Sequence, residues 1–308
     1  INSLPAKSSS ADVLPTSLIK SCSAVFSDLI STLANLSFSQ GCFPSIFKQA
    51  YVTPLLKKPG LCTDDPSNYR PISNLNFISK VLERLFLARI RSHVTSGCNF
   101  NAFQSAYRRC HSTETALLCT LDNIYNNAGH GSATALISLD LSAAFDTIDH
   151  SILLNRLQAS FGVAGSALSW LSTYRYLANR TEIVQIGSSS SGVTPLSSRV
   201  PQGSVLGPLL FSIYTSPIAH IAAAHNVCQQ QYADDTQLYV AISRTSGTSA
   251  ITCLDTCLLS LHSWFLHNGL AVNPDKSEAI VFGTSQNIAD CYVNVAGSVV
   301  PFSNHIKL

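Results

Sequence analysis

The amino-acid sequence predicts an α+β fold, in which a small antiparallel sheet is backed by helices. Apolar, β-prone runs at 134–141, 228–241 and 278–283 are separated by helical patterns at 204–221 and 250–266. That order favours antiparallel strands with helices on the sheet rather than a regular alternation of strands and helices. The chain has 308 residues, 46% hydrophobic and 12% charged, which indicates a globular protein with enough apolar surface for a large core.

The remaining elements follow from local patterns. Apolar spacing predicts helices at 17–36 and at 77–94, the second with Ser79 as its cap. Ser112 or Thr113 is expected to cap a helix that runs to about residue 126. Further predictions are strands at 51–56 and 181–187, one or two helices within 151–178, a Ser/Gly turn at 188–192, and Pro208 in the early turns of helix 204–221.

Three aspartates are expected at strand ends. Asp140 closes the apolar run 135–141, and Asp234 and Asp235 fall at the turn of the hairpin 228–241. Carboxylates held close together raise one another's pKa and destabilise a fold unless cations neutralise them. Two Mg²⁺ ions on such a cluster form the clamp of phosphoryl-transfer enzymes, so this pattern favours a polymerase. For Asp140 alone, an N-cap or turn aspartate is the alternative.

The cationic residues are concentrated in one segment. Residues 48–109 carry ten Lys or Arg and three acids, a net charge of +7, so the remaining chain is −5 within a total of +2. A basic segment beside a carboxylate-bearing one suits an enzyme that holds a phosphate backbone. For Lys80, Arg84 and Arg91 a solvated helix face explains the charge equally well.

Ten cysteines occur without a CxxC pair, which favours free thiols in a reducing compartment over a metal site. No run approaches the roughly 20 apolar residues of a membrane span, and the Ser-rich start lacks the basic-then-apolar order of a signal peptide. We therefore expect an intracellular protein without a membrane partner. The chain has no methionine, even at position 1, which predicts a fragment.

Several motifs, in order, match one family. The chain from residue 38 to 308 resembles the reverse transcriptase domain of LINE-type, non-LTR retrotransposons of the jockey-like group. The segments that carry the resemblance are NYRPIS (68–73), QSAYR (104–108), SLDLSAAFDTIDH (138–150), VPQGSVLGPLLF (200–211), YADD (232–235), GLAVNPDKSE (269–278) and the closing HIKL.

The resemblance implies a right-hand polymerase with fingers and palm but no thumb. Its implied boundaries are a helical extension (1–45), fingers (46–133), palm with the first catalytic Asp (134–150), a fingers insertion (151–199), palm (200–286) and the start of a primer-grip region (287–308). It implies RNA-directed DNA synthesis with two Mg²⁺ ions, for which Mn²⁺ can substitute, on an RNA template with a DNA primer and dNTPs. Nucleus and cytoplasm are the expected locations, and oligomeric state stays open.

The resemblance also assigns catalytic residues. Asp140 and Asp234 would bridge both metal ions, Asp235 would be the adjacent and less essential carboxylate, and the Leu141 carbonyl could complete one coordination shell. Lys276 would lie near the leaving pyrophosphate, with an ordinary surface lysine as the alternative. The family pattern leaves Asp146 and Asp149 structural, and Asp146 is expected to cap the next helix.

Further residues are assigned to nucleotide and nucleic acid. Phe145 would pack under the incoming sugar and exclude a 2′-hydroxyl, with a core phenylalanine as the alternative. Gln202 would contact the nascent base pair and Gly203 would let the backbone approach the nucleotide, with a capping turn as the alternative. The triphosphate would bind Arg70 together with Lys57 or Lys58, and the template would contact Tyr107, Arg108 and Arg109.

Three departures from the family pattern matter. Arg199 stands where a small residue is usual, and the segment 174–177 is about two residues longer than in most members. The chain also stops at 305–308, where the primer-gripping element should begin, so thumb, upstream endonuclease and downstream zinc knuckle are expected to be absent. A catalytically inactive relic and a nucleic-acid-binding module without chemistry are therefore the alternative functions.

Overall fold

In the computed structural model the protein divides into two units. Unit 1 comprises Ile1–Gly97 and Asp149–Leu210, and unit 2 comprises Cys98–Ile148 and Phe211–Leu308. The structure describes residues 1–3, 5, 9, 11–142, 145–172, 177, 179–196, 200–243, 247–283, 292–303 and 305–306.

The helices and strands of the described residues are numbered in chain order. The helices are α1 Thr16–Ser21, α2 Ser23–Ser39, α3 Phe77–Thr95, α4 Thr113–Gly129, α5 His150–Ala159, α6 Gly165–Leu171, α7 Gly207–Thr215, α8 Ile218–Ala224 and α9 Gly247–His267. The strands are β1 Gln49–Leu56, β2 Tyr69–Asn74, β3 Ala133–Ser142, β4 Arg180–Ile186, β5 Ser189–Ser190, β6 Thr194–Leu196, β7 Cys228–Tyr232, β8 Asp235–Ile242, β9 Ala271–Phe282, β10 Tyr292–Val295 and β11 Ser298–Ser303.

Unit 1 is built on a mixed sheet with the strand order β2-β1-β4-β5, and β6 pairs with β4. β1 and β2 form an antiparallel pair, whereas β1 and β4 run parallel. Trp170 of α6 is fully buried, stacks on Phe86 of α3 at 4.2 Å between ring centroids, and donates its indole N–H to Ser37 Oγ at 2.9 Å. An aromatic core with its polar atom satisfied therefore joins α2, α3 and α6.

A buried carboxylate holds the turn that precedes α7. Glu83 of α3 is fully buried and accepts hydrogen bonds from the backbone N–H of Val205 at 2.7 Å and of Leu206 at 3.2 Å. Ser79 Oγ donates to the same side chain at 3.3 Å. The negative charge lies against the N–H groups at a helix start, where it is favourable. Glu83 thus fixes the path of the chain just after Gln202 and Gly203.

Unit 2 is built on a six-stranded sheet with the order β10-β11-β9-β3-β8-β7. β3 lies at the centre and pairs antiparallel with both β8 and β9, whereas β11 runs parallel to β9. Helix α4 packs on one face through Ile124, which meets Leu136, Tyr239 and Ile280. Both units therefore have mixed sheets with helices, so the predicted purely antiparallel sheet was too simple.

Helix α9 packs on strands β8, β9 and β10 of unit 2. Leu254, Leu258, Leu261 and Phe265 lie on its buried stripe at a helical spacing. Its segment Ser249–His267 is long and apolar enough to cross a membrane by length and composition alone, with a mean hydropathy of 1.2. The expectation that no run approaches a membrane span was therefore wrong by length and composition, a test that the core helices of soluble proteins also pass.

Most predicted elements are present, and the differences concern their ends. Asn76, not Ser79, caps α3, because its side chain accepts from Ile78 N–H at 2.8 Å while Ser79 is buried. Asp149, not Asp146, caps α5, where it accepts from the N–H groups of Ser151 and Ile152. Ser112 caps α4 with a complete capping box, as predicted.

Two predicted helices are each interrupted. The lead-in helix divides at Cys22 into α1 and α2, and helix 204–221 divides into α7 and α8. Pro208 does lie in the first turn of α7, where its missing N–H costs nothing. Strand β9 begins at Ala271, seven residues before the predicted start, and so takes up Pro274, Asp275 and Lys276.

Candidate active site

The hairpin of β7 and β8 presents two of the three predicted carboxylates. Tyr232 pairs with Asp235, so Ala233 and Asp234 form a two-residue turn. Ala233 has φ +57°, in the left-handed region that tight hairpin turns require. Asp234 is half-buried, and Asp235 is exposed at the first position of β8. The turn therefore directs two adjacent carboxylates to one end of the sheet.

Asp140 comes to the same end of the sheet on β3. Leu139 pairs with Thr236, the neighbour of Asp235, so Asp140 lies one residue beyond the last β3–β8 pair. On the other side the β3–β9 register shifts between Ser138 and Asp140, and Asp140 then lies opposite Asn273. The Asp140 side chain is 31% exposed. The irregularity thus occurs next to the carboxylate, a common placement of bulges beside functional sites.

A cavity of about 720 Å³ opens over this end of the sheet in unit 2. Asp140, Asp235 and Lys276 line it together, and the first turn of α4 forms another wall with Thr113 and Glu114. The hydroxyl groups of Ser112 and Thr113 help to hold the pKa of Glu114 below its usual value. The cavity is thus bordered by carboxylates from four different elements, since Asp275 and Glu278 of β9 also line it.

Lys276 lies beside the first carboxylate. Its Nζ is 3.7 Å from Oδ2 of Asp140, and the lysine side chain is 66% exposed. An ion pair this exposed adds little to stability, so its significance lies in where it puts a positive charge. The structure therefore brings together Asp140, Asp235 and Lys276 of the predicted site, with Asp234 at the adjoining turn.

The carboxylates suit Mg²⁺ by chemical type, because Mg²⁺ prefers oxygen ligands. Within the described ranges, however, no three His, Cys, Asp or Glu side chains come close enough to form a ready metal-binding group. Leu141, whose carbonyl was a predicted ligand, lies opposite Val272 in the β3–β9 ladder. The carboxylates thus suit Mg²⁺ by their oxygen atoms and by their position at one end of the sheet. Which residues coordinate which ion stays a prediction.

The predicted template residues have different environments in unit 2. Tyr107 is about half exposed, and burial together with the negative charge of Asp234 raises the pKa of its phenol. The Arg108 guanidinium donates to the carbonyls of Ala102 at 2.7 Å and Gln104 at 3.3 Å, whereas Arg109 is exposed. Tyr107 therefore lies near the Ala233–Asp234 turn, and the Arg108 guanidinium is hydrogen-bonded to its own loop.

Sequence reasoning missed a network of buried amides beneath the turn. Gln229, Gln230 and Gln231 of β7 are all buried, and each side chain is hydrogen-bonded. Their partners include Asn101 and Ser105, from a segment that also carries the buried Gln104. Three consecutive glutamines in an otherwise apolar strand were the available signal, since buried amides need partners.

Phe145 packs against an aromatic neighbour in unit 2. Its ring stacks on that of the fully buried Phe211, with 4.6 Å between ring centroids, and Phe145 itself is only partly buried. One face of the ring is therefore used in packing, which agrees with the core alternative. Because the side chain keeps some exposure, its predicted contact with a sugar stays a prediction.

The predicted nucleotide-binding residues of unit 1 form two groups. Arg70 on β2 pairs with Leu55, and Lys57 and Lys58 follow the end of β1, so the three exposed cations share one end of that hairpin. Lys57 Nζ also donates to the carbonyl of Ser67 at 2.7 Å. Three cations at one hairpin end form a local positive patch suited to phosphate oxygens.

Gln202 and Gly203 form a turn that docks on the end of β2. The Ser73 N–H donates to the Gln202 carbonyl at 2.9 Å. Gly203 has φ +113°, and a Cβ there would lie 2.8 Å from the Ser73 carbonyl oxygen. Gly203 is thus required by its close contact with the backbone of Ser73. The sequence predicted a close approach to a nucleotide and gave no sign of this contact. Arg199 and residues 174–176, two of the noted departures, lie outside the described residues.

Comparison with known proteins bears on the fold and the family. The chain is similar to a probable RNA-directed DNA polymerase from transposon BS of Drosophila melanogaster, at 30% identity, covering 76% of this chain and 26% of that protein. The RNA-directed DNA polymerase from mobile element jockey of the same species is 27% identical, with 82% of this chain and 27% of that protein covered. The chain therefore spans about a quarter of the length of these relatives.

Solved structures of telomerase have a similar fold. Apo telomerase from Candida tropicalis, truncated from its C-terminal domain, matches with a TM-score of 0.52 at 13% identity, covering 83% of this chain and 55% of that one. Telomerase from Candida tropicalis with a fragment of telomeric RNA matches with a TM-score of 0.54 at 12% identity, covering 92% and 49%. At such identities the likeness concerns the fold alone.

The family assignment rests on the sequence. Residues 56–294, well over half of the chain, match the family described as "Reverse transcriptase (RNA-dependent DNA polymerase)". That range contains Asp140, the YADD hairpin and Lys276, which the structure places at one end of the unit 2 sheet. The chain belongs to the reverse transcriptase family.

Proposed function

We propose that this chain is the polymerase domain of a LINE-type retrotransposon protein and extends a DNA primer by copying an RNA template. The observation that carries the proposal is the position of Asp140 and of the Asp234–Asp235 turn at one end of the sheet, beside one cavity. Carboxylates that converge without intervening cations would repel one another. Divalent cations bound by these carboxylates would offset the repulsion and act on the phosphate groups of the substrate.

The proposed role of each residue follows from its chemistry. Asp140 and Asp234 would hold two Mg²⁺ ions, or Mn²⁺ in their place, with Asp235 and the Leu141 carbonyl as further oxygen ligands. When bound, these ions would supply the positive charge that stabilises the attacking and leaving oxygens. The ammonium of Lys276, 3.7 Å from Asp140, would neutralise or protonate the leaving pyrophosphate.

The nucleotide and the nucleic acid would contact other side chains. The patch of Arg70, Lys57 and Lys58 supports triphosphate binding, since a guanidinium engages phosphate oxygens bidentately. Tyr107 and Arg109 would meet the template. Phe145, of which one face stacks on Phe211, would exclude a 2′-hydroxyl. RNA template, DNA primer and dNTPs are thus the proposed partners, and nucleus and cytoplasm are the proposed locations.

Primer extension tests the proposal. An RNA template with a DNA primer is incubated with dNTPs and Mg²⁺, and extension is compared between wild type, Asp140→Asn and Asp122→Asn. Asp122 is an exposed aspartate of α4 outside the cavity lining and controls for loss of one negative charge. We expect extension by wild type and Asp122→Asn and none by Asp140→Asn. Nucleic-acid binding without extension by wild type would favour the inactive relic or the binding module.

A further inference from the structure

The turn that carries Asp234 is held by a buried side chain from another part of unit 2. The Gln104 amide donates from Nε2 to the Ala233 carbonyl at 2.9 Å, and its Oε1 accepts from the Ala233 N–H at 2.9 Å. Gln104 is fully buried. Both polar groups of one turn residue are therefore bound by a single side-chain amide.

Gln104 is itself fixed on both sides. The backbone of its segment pairs with β7, because Gln231 N–H donates to the Phe103 carbonyl at 3.0 Å and Ser105 N–H donates to the Gln231 carbonyl at 2.9 Å. Arg108 binds the Gln104 carbonyl at 3.3 Å, and the Gln104 Oε1 also accepts from Ala106 N–H at 3.1 Å. The amide thus has little freedom to move away from the turn.

A clamp of this kind matters because the turn residue is strained. Ala233 has φ +57°, a left-handed conformation that is unfavourable for a non-glycine residue. The two hydrogen bonds to the Gln104 amide offset that cost. Asp234 follows Ala233 directly, so the position of its carboxylate depends on this peptide. An error of about 1 Å in a catalytic group can lower a rate about 100-fold.

We propose that Gln104 is a positioning residue, which locks the Ala233 peptide and thereby places Asp234 for nucleotide addition. This role rests on the proposed polymerase function. Gln104 acts on Asp234 through the backbone of the turn, by its two hydrogen bonds to Ala233. The QSAYR segment therefore holds the turn of the β7–β8 hairpin through Gln104, in addition to its predicted template contacts.

A matched pair of variants tests the role. Gln104→Met keeps the length of the side chain but removes both hydrogen bonds to Ala233. Gln229→Met is the control, because Gln229 is equally buried, and its amide likewise donates to and accepts from one partner, Asn101. We expect the single-turnover rate of dNTP addition to fall about 100-fold in Gln104→Met and much less in Gln229→Met, with hybrid affinity unchanged in both.

Amide hydrogen exchange of the wild-type chain gives a readout that needs neither activity nor a variant. We expect the Ala233 N–H to exchange at least about 100-fold more slowly than in an unstructured peptide, because it is bound and buried. An unprotected Ala233 N–H would overturn the clamp, even if Gln104→Met fails to fold. Equal rates for Gln104→Met and wild type would overturn the positioning role while leaving the polymerase function intact. A wild-type chain without Asp140-dependent extension would overturn the function, and with it the catalytic importance of the clamp.

Discussion

Substitution of Gly203 by alanine probes the turn that carries Gln202. Gly203 has φ +113°, a backbone conformation that costs other residues about 1–3 kcal/mol. The added Cβ would also lie 2.8 Å from the Ser73 carbonyl oxygen, so Ser73 or the turn must shift. That shift would weaken the hydrogen bond from the Ser73 N–H to the Gln202 carbonyl, which contributes about 1 kcal/mol. We therefore expect Gly203→Ala to lower the free energy of unfolding by about 2–4 kcal/mol.

Gly60→Ala is the matched control within unit 1. Gly60 has φ +85°, but an added Cβ would meet nothing within 4 Å. Backbone strain alone should then cost about 1–3 kcal/mol, as at Gly203, and the additional loss of unfolding free energy in Gly203→Ala measures the contact with Ser73. The assay is urea unfolding followed by tryptophan fluorescence in a Trp264→Phe background. There the remaining tryptophan, Trp170, is buried in unit 1 and reports that unit. Equal losses in the two variants would refute the close approach as the reason for this glycine.

Three further predictions concern selectivity, charge and pH. Phe145→Ala should admit ribonucleotides, because a methyl group cannot clash with a 2′-hydroxyl. The measurement is the ratio of dNTP to rNTP incorporation. An unchanged ratio would mean that Phe145 only packs against Phe211. Joint substitution of Arg70, Lys57 and Lys58 by Glu should weaken dNTP binding more than binding of the RNA–DNA hybrid. Arg109→Glu should do the opposite, and the slope of log K for hybrid binding against log salt should become smaller by roughly 0.7–0.9 per lost phosphate contact. Equal losses of dNTP and hybrid binding in both variants would show a diffuse basic surface. Asp149→Ala should lower the unfolding free energy by about 1 kcal/mol near neutral pH. Hydrogen bonds from the Ser151 side chain and the Ile152 N–H hold the Asp149 pKa below 3.8, so its stabilisation is present above that value and is lost as pH falls through the folded-state pKa; a difference from wild type that persists in acid would contradict this assignment.

The sequence was most informative where one local pattern decides the structure. The alternation and apolar content of 134–141 fixed β3, and Ser112 with Thr115 gave the capping box of α4. The position of Asp234 and Asp235 at a hairpin turn followed from two β-prone runs on either side. These features depend on residues within a few positions of each other, so no knowledge of distant contacts was needed.

Features that depend on distant contacts were not predictable in the same way. Nothing local to Gln104 indicates that its amide binds Ala233, 129 residues further along the chain. Similarly, the close approach of Ser73 to Gly203 depends on how the 201–204 turn packs on β2. The cap of α5 illustrates a local ambiguity, since Asp146 and Asp149 both precede the helix and only the position of its first turn selects Asp149.

The catalytic role proposed for the YADD turn is tested by substituting its two adjacent carboxylates separately. Single-turnover addition of one dNTP to a DNA primer on an RNA template is measured with Mg²⁺ for wild type, Asp234→Asn and Asp235→Asn. We expect Asp234→Asn to lose about 10³-fold or more, as transition-state stabilisation of several kcal/mol disappears, and Asp235→Asn to lose less. An Asp234→Asn chain that adds nucleotides at the wild-type rate would contradict the assignment of this turn as the catalytic centre.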